Sequence, residues 1–114
     1  MKIEVLYFQG CPHYHDTVEQ VRRALTAEGI TYILEEIEVQ DENMAHATGF
    51  LGSPSVRING GDIEEDARVG QQAGFGCRTY LDGGRRSGVP PVEMIRKALR
   101  EAANPGAGGG SEQT

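Results

Sequence analysis

Apolar residues gather at Ile3, Val5, Leu6, Tyr7 and Phe8, and this run predicts a strand over Lys2 to Phe8 that is buried on both faces. The period then changes. From Asp16 to Glu28, Val18, Val21, Ala24 and Leu25 fall on one helical stripe, with Glu19, Arg22 and Arg23 turned to water. Gly29 suits the position just past that helix. Ile30, Tyr32, Leu34, Ile37 and Val39 predict a second strand across 30–39. A short helix over Asp41 to Thr48 follows, with Asp41 as N-cap and Gly49 as terminator. Ser55 to Asn59 alternates as a strand does, Asn59-Gly60-Gly61 signals a hairpin, and Asp62-Ile63 begins the return strand. Residues 64–88 are glycine-rich without clean periodicity and predict a long structured loop. Val89 to Ala103 predicts a last helix, with Pro90 and Pro91 in its first turn and Met94, Ile95, Ala98 and Leu99 as its apolar stripe. Residues 104–114 lack groups that a core could bury and predict a disordered tail.

The element order is therefore β-α-β-α-β-β-α. Right-handed crossover makes the first two strands parallel, and the hairpin adds antiparallel strands, so the expectation is an α/β domain over residues 1–103. It has a central mixed sheet with helices on both faces. With 114 residues there is room for one core. Eleven Lys and Arg against seventeen Asp and Glu leave a net charge of −6, which argues against nucleic acid or an anionic membrane as partner. No run is long enough to span a bilayer and no basic-then-apolar leader is visible, so a cytoplasmic location is the expectation. Two cysteines are too few for a disulfide-framed secreted fold.

Chemistry enters at Gly10-Cys11-Pro12-His13-Tyr14. Cys11 falls between the first strand and the first helix, where free backbone N–H groups and the positive end of the helix dipole favour thiolate over thiol. The thiolate is both the nucleophile and the soft-metal ligand. The competing view is a buried, inert cysteine, but Gly10, Pro12 and His13 fit an exposed turn better. His13 is a candidate modulator of the thiol. His15, two residues from it, does not share its face, so the two would not ligate one ion.

The strand Val5-Leu6-Tyr7-Phe8 running into Cys11-Pro12, with Gly52-Ser53-Pro54-Ser55-Val56 opening the third strand, resembles the thioredoxin superfamily in its small glutaredoxin-sized form. More narrowly, Gly76-Cys77-Arg78 with Tyr80, and Gly88-Val89-Pro90-Pro91, resemble the DF-family (seleno)protein type of thioredoxin-family protein. The resemblance implies the thioredoxin-like fold, Cys11 as nucleophile, and Pro54 as a cis-proline facing it. It also implies that Ser53 turns its backbone N–H and C=O toward the thiol, where an extended substrate could add as a strand. Tyr14 stands where a dithiol member carries its second cysteine, so a C-x-x-C disulfide cannot form. Monothiol chemistry remains, or a resolving thiol from elsewhere.

Cys77, at Gly76-Cys77-Arg78, is the candidate for that second thiol, with Arg78 favouring its thiolate. Three alternatives stand side by side: a resolving thiol for Cys11, a metal ligand beside it, or a bystander held by Phe75 and Tyr80. Arg57 and Arg78 could each take the carboxylate of a small thiol such as glutathione, or be plain surface charges. Asp62, Glu64, Glu65 and Asp66 lack metal-loop spacing and read as a solvated turn.

The expected function is thiol–disulfide exchange or peroxide and sulfenate chemistry at Cys11, resolved by Cys77, with His13 assisting and Ser53, Pro54, Tyr14 and Arg78 contacting substrate. The partner is then a thiol or disulfide substrate, with no resident cofactor and glutathione or another small thiol as reductant. The alternatives are a module binding Hg(II), Cu(I) or Zn(II) through Cys11 and Cys77, and a scaffold without chemistry.

Overall fold

The computed structural model describes residues 1–64, 74 and 76–103. Its central strand is β1 (Lys2–Tyr7), paired on both edges. On one side it runs parallel to β2 (Ile33–Glu38), with Lys2 opposite Ile33 and Tyr7 opposite Glu38. On the other it meets β3 (Ser55–Ile58) antiparallel, with Ile3 opposite Ile58 and Val5 opposite Val56. The short β4 (Gly61–Asp62) completes the order β2-β1-β3-β4. The Asn59-Gly60 turn, with both residues at positive φ, makes that last reversal.

Alternation along β1 sends successive side chains to opposite faces, and both faces are covered. Ile3 and Val5 join Val56 and Ile58 on one side. There they meet Val21, Ala24 and Leu25 of α1 (Tyr14–Glu28) and Ile95, Ala98 and Leu99 of α3 (Val92–Ala103). Leu6 points the other way, into a smaller cluster with Val39, Phe50 and Ala45 of α2 (Glu42–Thr48). The molecule is thus a mixed-sheet α/β domain with three helices. Among the described residues no helix is long and apolar enough to cross a membrane.

Helix ends follow local chemistry. The Asp41 side chain accepts from Met44 N–H at 2.8 Å and caps α2. Gly29 and Gly49 adopt the left-handed conformation past α1 and α2. Behind each, two crossed bonds close the turn: Gly29 N–H to Thr26 and Ile30 N–H to Leu25, then Gly49 N–H to His46 and Phe50 N–H to Ala45. Ile30 is therefore spent on ending α1, which is why β2 begins at Ile33 and not at residue 30. The last helix likewise begins at Val92 and not at the expected Val89. The Pro91 carbonyl accepts from Met94 and Ile95, so both prolines precede α3.

The long loop expected over 64–88 is the main departure. It contains a hairpin of β5 (Tyr80–Asp82) and β6 (Arg85–Ser87), closed by Gly83 and Gly84 at positive φ. Its strands are polar apart from Tyr80 and Leu81, so hydrophobic period could not reveal it. The expected bracing of Cys77 by Phe75, and the expected disordered tail, fall on residues outside the described ones.

Candidate functional site

Cys11 lies half-buried in the turn between β1 and α1. Its N–H donates to the Phe8 carbonyl at 3.2 Å, and its own carbonyl accepts from Tyr14 N–H at 3.5 Å. Gly10, at φ 87°, permits that turn. His13 is the N-cap of α1 without a side-chain cap, so nothing from its own side chain fills the helix's first free donors. The His13 ring instead packs on Gly88: a Cβ placed there would lie 2.3 Å from the ring, so any larger residue would have to displace it. The Gly88–Pro91 link thereby abuts the cysteine turn, a neighbour that sequence spacing does not show.

Tyr14, which occupies the second-cysteine position, faces the sheet. Its ring stacks on Tyr7 with centroids 3.7 Å apart, and its hydroxyl donates to the Glu36 carboxylate of β2. These contacts draw its polar end toward the sheet edge rather than toward a substrate. His15 and His46 are exposed, and His46 pairs with Glu42 at 3.1 Å.

The second part of the site opens β3. The Ser53–Pro54 peptide is cis. Ser53 is buried, and its Oγ accepts from Phe8 N–H at 3.2 Å, which joins this loop to the residue that also receives Cys11 N–H. The Ser53 backbone does not await a substrate strand, contrary to expectation. Its N–H donates to the Gly76 carbonyl at 2.8 Å, and its carbonyl accepts from Arg78 N–H at 3.0 Å. Ser53 and Cys77 are thus parallel bridge partners, which places their backbones about 5 Å apart. Gly52 allows this approach: a Cβ there would meet Arg78 Cβ at 2.9 Å and the carbonyls of Gly76 and Cys77 at 3.2 and 3.3 Å, and its φ of 117° excludes other residues. Cys77 itself is exposed.

Alternation then sends Arg78 inward, and this corrects its expected role. Arg78 is 8% exposed and grips Asp62 with both Nη atoms, at 2.6 and 2.7 Å, while Nη1 also donates to Ser55 Oγ at 3.1 Å. Glu64 lies at 3.5 Å and the guanidinium sits 4.4 Å from the Tyr80 ring centre. Burial pulls the Arg78 pKa down, but the Asp62 hydrogen bonds and the surrounding Tyr80, Asp62 and Glu64 outweigh it, and the net direction is up. So committed, Arg78 offers nothing to a substrate carboxylate or to the Cys77 sulfur. Asp62, expected in a solvated turn, is 7% exposed for the same reason. Arg57 is also structural, donating to the Thr48 carbonyl at 2.7 Å at the end of α2.

Tyr80 closes the arrangement. Its buried hydroxyl donates to the Pro54 carbonyl at 2.6 Å. Burial, partly opposed by Arg78, pushes its pKa well above the ordinary 10.0. The folded state therefore holds the Tyr80 proton where the unfolded chain releases it, so this contribution is intact below pH 10 and is lost as pH rises beyond it. Urea titrations from pH 8 upward are expected to show stability falling by up to about 1.4 kcal/mol per unit above pH 10. The decline should be shallower in Tyr80→Phe; an unchanged slope would remove Tyr80 as its cause.

Of the expected site residues, the fold brings Cys11, Ser53, Pro54 and Cys77 into one hydrogen-bonded neighbourhood, with His13 at its rim, and turns Arg78 and Tyr14 elsewhere. Gly88, Asp62 and the Phe8 N–H were not anticipated. No sequence signal singled out the Arg78–Asp62 pair, since the in-out alternation of Cys77, Arg78, Thr79 and Tyr80 shows only in the fold. Among the described residues, no group of three or more His, Cys, Asp or Glu is placed to hold a metal ion.

These features define a small mixed-sheet α/β domain with one cysteine in the turn before its first helix and another bridged to the loop that opens its third strand. The chain belongs to the family described as Domain of unknown function (DUF2703), whose model matches residues 13–99. That match includes Ser53, Pro54 and Cys77 and begins two residues after Cys11. No curated protein and no solved structure matches the chain.

Proposed function

We propose that this protein is a cytoplasmic thiol-redox protein of thioredoxin-like fold, in which Cys11 is the nucleophile and Cys77 the resolving thiol. One observation carries this: Cys11 N–H bonds Phe8, Phe8 N–H bonds Ser53 Oγ, and the Ser53 backbone bonds both neighbours of Cys77. The backbone at two cysteines separated by sixty-six positions is thus linked by one short hydrogen-bonded path beside a cis-proline. The strand order β2-β1-β3-β4, with the cysteine after β1 and the proline before β3, supports the thioredoxin-like assignment.

In the reaction, the Cys11 thiolate attacks one sulfur of a disulfide, giving a mixed disulfide and releasing a thiolate. The Cys77 thiolate then attacks the Cys11 sulfur and releases the second thiolate, leaving a Cys11–Cys77 bridge. A peroxide would enter as a Cys11 sulfenic acid, which Cys77 condenses to the same bridge with loss of water. A small thiol such as glutathione would restore the dithiol.

Intact-mass measurement after mild oxidation tests this. The expected result is a monomer lighter by two hydrogens, with a single Cys11–Cys77 linked peptide after proteolysis. A protein that retains two free thiols, or carries only a persistent adduct on Cys11, would exclude the resolving role.

A further inference from the structure

We infer that the disulfide consumed at Cys11 is a small non-peptide one, because the chain's own residues 76–78 fill the backbone edge that an extended polypeptide would need. This rests on the thiol-redox reading above and narrows its substrate. A polypeptide docking beside a thiol by strand addition gains its affinity from main-chain hydrogen bonds to an open edge. At Ser53 that edge is closed, since the single N–H and single C=O on this side are both bonded, to Gly76 and Arg78.

The occupying segment is anchored on three sides. Gly52 lets it approach to a distance that no Cβ would allow. Arg78 ties it to Asp62 and Ser55 from within the core. Two residues on, Tyr80 holds the Pro54 carbonyl. A peptide strand could pair with Ser53 only by breaking two backbone bonds and loosening a buried ion pair. A small disulfide has no main chain to pair, so the same closure costs it nothing.

The exchange it undergoes is the two-step one above. The S–S bond of the small disulfide breaks, a Cys11–S–S–R bond forms with loss of one thiolate, and Cys77 displaces the second. Two electrons pass from the protein dithiol to the small disulfide.

Two probes carrying a comparable disulfide separate the cases: bis(2-hydroxyethyl) disulfide, and a short extended peptide whose cysteine is disulfide-linked to 2-mercaptoethanol. Stopped reactions of the reduced protein, read by mass, should show the peptide probe modifying Cys11 slower by roughly 30-fold, the effect of displacing two net hydrogen bonds. Equal rates would overturn the inference and leave the thiol-redox reading standing. Inertness of Cys11 toward both probes would overturn both. An Asp62→Asn variant that folds should narrow the gap between the probes, and an unchanged gap would count against the anchored segment. Hydrogen exchange of the wild-type protein needs no variant. The Ser53 and Arg78 amides should be protected like that of Val56, and free exchange at either would mean an open edge and overturn the inference.

Discussion

An Asp62→Asn substitution is expected to destabilise the fold by about 3–5 kcal/mol, toward the lower end of that range because Glu64 also lies near the guanidinium. Arg78 is 8% exposed and spends both Nη atoms on the two Asp62 oxygens. An amide offers one acceptor and turns a donor toward the cation, leaving a buried charge without its counter-ion. Arg78 cannot escape by losing its proton, since its pKa is held above an already high ordinary value despite burial. Added salt should restore little, because a buried pair is screened weakly. Replacing both partners, Asp62→Leu with Arg78→Met, should recover most of the loss, as paired removal of a buried ion pair often does. Urea unfolding of the three proteins checks this, and a single-variant loss under about 1 kcal/mol would show the pair to be dispensable.

The second large effect is chemical. Cys11→Ser should lower the reaction of a small disulfide at position 11 by about 100-fold or more, since a hydroxyl without an activating base is a poor nucleophile, and any adduct that remains should sit on the exposed Cys77. Cys77→Ser should act differently. The first exchange keeps its rate within about twofold, but the mixed disulfide on Cys11 now accumulates because no thiol displaces it. Mass spectra taken through the reaction distinguish the two variants. If instead Cys77→Ser lost the first step and Cys11→Ser accumulated the mixed disulfide on Cys77, the assigned roles would be reversed.

The legible and illegible parts of this fold divide by the range of the interactions. The apolar run that holds Ile3 and Val5, the stripe at Val21, Ala24 and Leu25, and the stripe at Ile95, Ala98 and Leu99 predict elements that do form the main core. Asp41, Gly29 and Gly49 punctuate helices as their local conformations require. Boundaries moved where a residue was claimed by a neighbouring element: Ile30 by the end of α1, and Pro91 by the capping of α3. The β5–β6 hairpin stayed hidden because polar strands carry no hydrophobic period, although Gly83-Gly84 signals its turn.

At the site, the turn around Cys11 is a local matter of Gly10, Pro12 and a helix start. The fate of the Ser53 edge is not. Its partners are Gly76 and Arg78, more than twenty positions away, and nothing local to either segment specifies the pairing. The same holds for Arg78, whose identity as a cation suggested a surface role until burial beside Asp62 reversed it.

By itself, then, the amino-acid sequence determined the succession of strands and helices apart from the β5–β6 hairpin, their polarity and their caps, because these depend on neighbours within a turn or two. Only the tertiary structure decided that Cys77 lies bridged to Ser53, that Arg78 is a buried anchor, and that His13 rests on Gly88. Such contacts depend on packing between segments distant in the chain, where burial and mutual hydrogen-bond satisfaction, rather than local propensity, choose the partner.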